Sequence, residues 1–321
     1  MKLGVLTVPL YHLTLEETVK YLHSLGVQAV ELGCGGSPGK THLDPDVYLN
    51  HPDKIAEVKE LMKKYDMEIC ALSAHGNAVH PNPEIAAQAK QDFENAVLLA
   101  EQLGVDTVVT FSGCPGDSPT SQYPNWVVCP WPDDFLTILD YQWNEVLIPY
   151  WQKEVEFVRA HGVKHVAFEM HPGFCVYNPE TCLRLRNAVG PELGANFDPS
   201  HLIWQGMDPV AAIKELKGAI YHFHAKDTRI DTYNTAKNGV LDTKHYSEVE
   251  TRSWVFRTVG YGNSTQYWRE MVTALKTVGY DGVLSIEHED GLMSIKEGLE
   301  KAVATLKDVL VYENPGAMWW A

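Results

Sequence analysis

The sequence predicts a closed eight-stranded α/β barrel, a single (β/α)8 TIM-barrel domain over residues 1–321 with long loops after strands four and seven. Three observations carry that prediction. Short β-branched or aromatic runs alternate with helical patterns eight times, as parallel strands joined by crossover helices require. Glycine recurs between a helix and the next strand, as in Leu-Gly-Val at 25–27 and 103–105. Several apolar runs stop on Glu, Asp or His, at the C-terminal rim where such a barrel builds its active site. An open doubly wound sheet is the alternative. No Gly-x-Gly-x-x-Gly opens a helix after a strand and no Gly-Lys-Ser/Thr loop exists, so a nucleotide cofactor has no support.

The elements follow in order. Strand 3–7 is followed by a helix that starts near Thr14 with Glu16 and Glu17 and stops at Gly26,. Strand 28–32 leads through a Gly-rich loop to helix 52–65, whose Ile55, Val58, Leu61 and Met62 share one face,. Strand 68–73 has His75 and His80 in its following loop and helix 85–103 behind it. Strand 105–111 is separated from helix 143–160 by an insertion over 112–140 rich in Pro, Gly and Trp, the composition and length of a lid or binding element,. Strands 164–168, 193–197, 219–223 and 282–286 run directly into Glu169, Asp198, His224 and Glu287. Their helices span 179–189, 209–216, 266–278 and 294–310, the third only after a second long loop.

Composition narrows the function. Residues are 45% hydrophobic and 21% charged, ordinary for a globular chain with a sizeable core, and the formal net charge is -16,. That balance argues against nucleic acid or an anionic membrane as partner, because both need Lys and Arg to neutralise phosphates. The first ten residues, broken by Pro9, read as a strand and not a signal peptide, and no window is apolar enough to span a bilayer,. Six scattered cysteines without Cys-x-x-Cys spacing fit reduced thiols in a cytoplasmic enzyme and exclude a thiolate zinc site,.

If the four polar-ended runs are neighbouring strands, Glu169, Asp198, His224 and Glu287 converge on one rim. Three carboxylates and an imidazole form a hard divalent-cation site, suited to Mg2+ or Mn2+, with Zn2+ compatible. Glu169 and Glu287 also form a carboxylate pair able to move a proton beside a sugar carbonyl through an enediolate. His222 and His224 point to the same face by period two, so spacing leaves the choice between them open; His224 lies nearer the rim. His75 and Lys226 are candidate substrate contacts, and Glu31 is a weaker candidate at the same rim. His288, Glu289 and Asp290 read as outer-layer or solvated charges, and Trp126, Trp131 and Trp254 as loop packing.

Four motifs then carry a resemblance: Phe-Glu-Met-His-Pro at 168–172, Phe-Asp-Pro-Ser-His at 197–201, His-Phe-His-Ala-Lys-Asp at 222–227 and Ser-Ile-Glu-His-Glu at 285–289. Along essentially its whole length the chain resembles the xylose isomerase-like TIM-barrel superfamily, in its sugar phosphate isomerase/epimerase branch that includes D-tagatose 3-epimerase. The resemblance implies one divalent metal, Mn2+, Mg2+ or Co2+, on Glu169, Asp198, His224 and Glu287, with the two glutamates as the acid/base pair. It also implies that His201 and Arg229 hold substrate oxygens. The implied activity is isomerisation or epimerisation of a ketose or related keto-sugar. A lyase or dehydratase acting on a keto-inositol or 3-keto-glycoside shares the same first step. An abasic-site endonuclease fits poorly, since residues 112–114 hold no His and no Asp-x-His follows His224; a non-catalytic sugar-binding module is the remaining class. Residues 228–262, with Arg252 and Arg257, suggest a larger substrate or a subunit contact, and the aromatic tail at 314–321 suggests a homodimer or tetramer.

Overall fold

A computed structural model describes residues 1–321. Eight parallel strands close a barrel: β1 (Lys2–Leu6), β2 (Ala29–Gly36), β3 (Glu68–His75), β4 (Thr107–Thr110), β5 (His165–Glu169), β6 (Leu193–Phe197) and β7 (Ile220–Ala225). An antiparallel pair, β8 (Asp227–Ile230) and β9 (Trp254–Arg257), intervenes before the eighth barrel strand, β10 (Val283–Ile286). The ring order β1-β10-β7-β6-β5-β4-β3-β2 leaves no barrel edge,. No helix is long and apolar enough to cross a membrane.

The helices begin and end where side-chain chemistry directs. Thr14 and Glu17 form a reciprocal capping box on helix Leu15–Ser24, and Asn82 caps Pro83–Leu103 through the Glu84 N–H,. Gly104 and Gly279 close their helices at φ 77° and 89°, a backbone conformation that penalises any residue with a Cβ. Strand side chains such as Leu3, Val30, Leu72, Phe168 and Leu284 are wholly buried against helix residues including Trp151 and Trp268. Each such aliphatic or phenyl side chain stabilises the fold by roughly 1.5–3 kcal/mol relative to exposure.

Three features differ from the sequence expectation. The Gly-rich segment after Leu32 continues β2 to Gly36, and β3 continues to His75, because Gly33, Gly35 and Gly36 pair with Ser73, Ala74 and His75. Glycine is needed there: a Cβ on Gly36 would lie 2.0 Å from the His75 carbonyl oxygen, and φ is +63°. His75 therefore stands at a strand end and not in a loop. The helix after β4 starts earlier, at Asp134–Asp140, and passes through a π-helical stretch, Tyr141–Leu147, into Ile148–Ala160. Pro149 explains the wider turn, since its ring would clash with a carbonyl four residues back in a regular helix. Residues 228–262 are not plain loop but carry β8, β9 and helix Thr232–Asn238. In the tail, Met318, Trp319 and Trp320 are exposed.

Candidate metal centre and active site

Strands β5, β6, β7 and β10 are successive in the ring, so their C-terminal ends present Glu169, Asp198, His224 and Glu287 side by side. One oxygen or nitrogen from each of the four lies within 4.8 Å of the others. Asp198 has two tasks. Its Oδ1 accepts the Ser200 N–H at 2.8 Å and caps helix Pro199–Trp204, while Oδ2 turns toward the shared centre, 3.1 Å from the Lys226 Nζ. Glu169 accepts from His201 Nε2 at 3.0 Å through Oε1 and turns Oε2 toward His75 Nε2 and His224 Nδ1, at 3.1 and 3.4 Å. Glu287 Oε2 lies 2.9 Å from His224 Nδ1 and 3.0 Å from Lys226.

Glu31 decides which histidine faces the centre. Both of its oxygens lie 3.0 Å from His224 Nε2, and Oε2 also lies 2.8 Å from His222 Nε2. Ser285 donates to Oε2 at 2.7 Å, and Ser73 donates to Oε1. A carboxylate accepts only, so Glu31 keeps a proton on His224 Nε2 and leaves Nδ1, facing Glu169 and Glu287, as the nitrogen that can release its proton to a cation. His222 belongs to this deeper layer. Register shifts in β2/β3 at Val30/Glu31 and in β6/β7 at Ala195/Asn196 turn these side chains toward each other, as bulges near sites do.

The electrostatics of the cluster suit a cation. Burial drives the Asp198 carboxyl up to about 7; Lys226 opposes that, and Glu169 and Glu287 add to it. For Glu287, burial acts upward but Lys226 and His224 hold the group down at about 2. Glu169 is held well below the usual range, burial being outweighed by Lys226, by the hydrogen bond from His201 and by the nearby imidazoles of His224 and His75. His224 is buried, which favours its neutral form, yet Glu31 and Glu287 hold it well above the usual imidazole value. Burial, with the charges of His171 and Lys226, presses His201 down to about 3, so it is a neutral hydrogen-bond donor to Glu169. Asp198 Oδ2, His224 Nδ1 and Glu287 Oε2 are buried without a hydrogen-bond partner. They lie close enough to feel each other's charge but none is aligned to bond. Three carboxylates and an imidazole whose unpartnered atoms converge fit a divalent cation.

The structure also places the other predicted residues. His201 and His75 flank Glu169, and Lys226, buried, joins Asp198, Glu287 and Glu289. Arg229 is not brought to the centre: it is exposed on β8 and borders a shallow groove with Thr228, Asp231 and Asn263. Asp290 is not solvated; it accepts from Thr258 N–H at 2.8 Å and Oγ1 at 3.0 Å, and from Arg257 Nε at 3.0 Å. Asp227 accepts the N–H groups of Gly260, Gly262 and Asn263 and the Trp268 indole. Together these two carboxylates pin the β8–β9 insertion over the barrel. Trp254 stacks on Trp204 at 4.5 Å, Trp126 packs edge-on to Tyr177, and Trp131 is exposed.

Above the centre opens a cavity of about 720 Å³. Its floor holds His75, Glu169, Lys226 and Glu287, and its walls include Val8, Tyr11, Phe111, Phe174, Tyr246 and Phe256. Phe111 and Phe174 stack at 4.1 Å, and Tyr246 on Phe256 at 5.6 Å. These aromatics, Ser73 and Ser285 were not singled out from sequence. Ser285 alone carried a signal, lying two residues before Glu287 on the same strand face.

The xylose isomerase-like TIM barrel family model matches residues 19–309. The chain is a member of that family. The uncharacterized protein YfiH of Bacillus subtilis (strain 168) is 40% identical over 312 residues, covering 97% of this chain and 99% of YfiH. Among solved structures, the probable 3-DHS dehydratase AsbF from Bacillus anthracis superposes with a TM-score of 0.66 at 18% identity, covering 96% of this chain and 99% of AsbF. A D-tagatose 3-epimerase-like protein superposes at 0.65 and 22% identity, with 96% and 97% covered. At these identities the superpositions show a shared xylose isomerase-like barrel.

Proposed function

We propose that the protein is a divalent-cation-dependent isomerase or epimerase that moves a proton on the carbon beside the carbonyl of a ketose or related keto-sugar. The observation that carries this reading is the convergence of Glu169, Asp198, His224 and Glu287 with three unpartnered buried atoms. A cation held by these four, Mn2+ or Mg2+ by ligand type, would supply stabilisation for the negative charge that develops when the proton leaves.

The chain's own residues supply the rest. Glu169, held ionised, is the base that takes the proton, and His201, neutral and bonded to its Oε1, fixes the direction of its free oxygen. Glu287 stands three strands further round the ring, with β6 and β7 between, so it reaches the reacting carbon from another side and passes on to it a proton taken from the Lys226 ammonium, 3.0 Å away, while Glu169 keeps the one it removed. Such a pair contributes typically 10² to 10⁴-fold. His75, with both ring nitrogens unpartnered in the cavity floor, takes a substrate hydroxyl. The apolar walls exclude water from the intermediate.

A dehydratase reading shares the first step and is favoured by one observation: Lys226 is a buried ammonium between Glu287 and Glu289, placed to donate to a departing hydroxyl. Epimerase and dehydratase names both occur among proteins of this fold. Incubating the Mn2+-loaded protein with ketoses and 3-keto-glycosides in deuterium oxide separates the two. Deuterium in a product of unchanged formula supports epimerisation or isomerisation, and loss of water supports the lyase. No exchange into any keto-sugar would show the reading wrong.

A further inference from the structure

Arg252 is a buried cation without an acid. It is 2% exposed and borders the cavity that holds Glu169 and Glu287. Its Nε donates to the Trp254 carbonyl at 3.2 Å and its Nη1 to the Lys244 carbonyl. The guanidinium carbon lies over two rings, 4.6 Å from Tyr246 and 4.5 Å from Trp254, and Trp254 is itself stacked on Trp204. No carboxylate forms an ion pair with it. Asp242, near enough to feel its charge, is already taken by Lys244 Nζ at 2.7 Å and by the Ser253 N–H at 2.6 Å.

Nη2 has no protein partner, although a guanidinium offers five N–H groups in a fixed plane. Burying a positive charge without a counter-charge is unfavourable unless a ligand completes it. The side chain is also held rigidly: two carbonyls set the plane, two rings fix the height, and the Asp227 and Asp290 clamps hold its hairpin. A planar, pre-set fork is the geometry that reads carboxylate and phosphate oxygens. A neutral sugar gives it nothing that a hydroxyl-binding Asn or Ser would not. The surroundings make such a fork necessary for an anion, since the chain carries a net charge of -16 and the cavity is acidic at Glu169, Glu287 and Glu289.

We infer that the substrate carries an anionic group, a carboxylate or a phosphate ester, and that Arg252 is the residue that binds it. This rests on the reading above that the cavity holds a keto-sugar at its floor. A volume of about 720 Å³, toward the top of the roughly 300–1,000 Å³ usual for small-molecule sites, accommodates a sugar lying between the acid/base pair and the hairpin.

Titration calorimetry of the Mn2+-loaded full chain with fructose, fructose 6-phosphate and fructuronate tests it. At least one anionic ketose is expected to bind about tenfold or more tightly than fructose, as charged hydrogen bonds imply; which one identifies the group. R252Q is expected to bring that ratio to within about twofold of unity with fructose affinity and Mn2+ content unchanged. R252K keeps the charge and loses the fork, so it is expected to forfeit at least about threefold of the preference. Equal wild-type affinities, binding of neither anionic ketose, a preference that survives in R252Q, or one retained in full by R252K would each overturn the inference. Binding is read without turnover, so the deuterium experiment can fail while the anion preference stands, and the reverse.

Discussion

Glu31→Gln probes the layer beneath the metal centre. The substitution preserves volume but removes the charge that two imidazoles and two hydroxyls share: His224 Nε2 at 3.0 Å, His222 Nε2 at 2.8 Å, Ser285 Oγ at 2.7 Å, and Ser73 Oγ. A glutamine has one acceptor oxygen in place of two, so one of these donors faces an NH2 group. The amide also ceases to bias the proton onto His224 Nε2, and part of the population then carries it on Nδ1, where it blocks the cation. Outer-layer partners of metal-bound histidines are worth typically 10–100-fold in affinity, or about 1.4–2.8 kcal/mol. Calorimetric titration with Mn2+ should therefore show binding weakened by about 10–100-fold at unchanged stoichiometry. Thermal unfolding of the metal-free protein separates this from a folding defect, which Glu31→Ala is expected to show more strongly because it strands His222 and both serines. Mn2+ binding by a folded E31Q protein at wild-type strength would refute the idea that Glu31 sets the His224 tautomer.

Asp198→Asn keeps the Oδ1 cap on helix Pro199–Trp204 and removes only the anionic ligand; it should lose Mn2+ retention while its melting temperature stays within a few degrees, whereas D198A should lose about 1 kcal/mol more from the missing cap. Metal affinity should depend on pH through the same residue and through His224. With Asp198 raised to about 7 and His224 held well above the usual imidazole value, both protons compete with the cation, so apparent Mn2+ affinity rises with pH and does not level off at pH 7. Each proton lowers it by up to tenfold per unit as pH falls, and an affinity flat from pH 5 to 8 by equilibrium dialysis would contradict this. Arg229→Ala should leave deuterium exchange and substrate KM within about twofold, because the residue is exposed and does not line the cavity; a large rise in KM would restore it as a substrate contact.

Much of the barrel is legible in the sequence because its signals are local. The eight apolar runs, the Gly-closed helices such as Pro83–Leu103, and the polar residues at four strand ends can each be read within one element. What is not legible depends on distant pairing. Residues 33–36 look like a loop since glycine lacks side-chain periodicity, yet tight contact with His75 makes them strand. The β8–β9 pair is hidden because its strands are separated by a helix and carry no short turn signal between them. Spacing cannot choose between His222 and His224, whereas the Glu31 bridge across the barrel does. The resemblance points to Arg229, but Arg252 lines the cavity, and only the hairpin's fold distinguishes a guanidinium bordering the cavity from one facing solvent. Asp290 reads as an outer-layer or solvated charge beside Glu287, and its Thr258 and Arg257 partners settle which.

The claim at the centre is that Glu169, Asp198, His224 and Glu287 hold one divalent cation. Elemental analysis after Mn2+ loading and dialysis, on wild-type protein and on His224→Ala with confirmed native melting, tests it most directly. One ion per wild-type chain and next to none in the variant is the expected result. Equal metal content in the two proteins would contradict it.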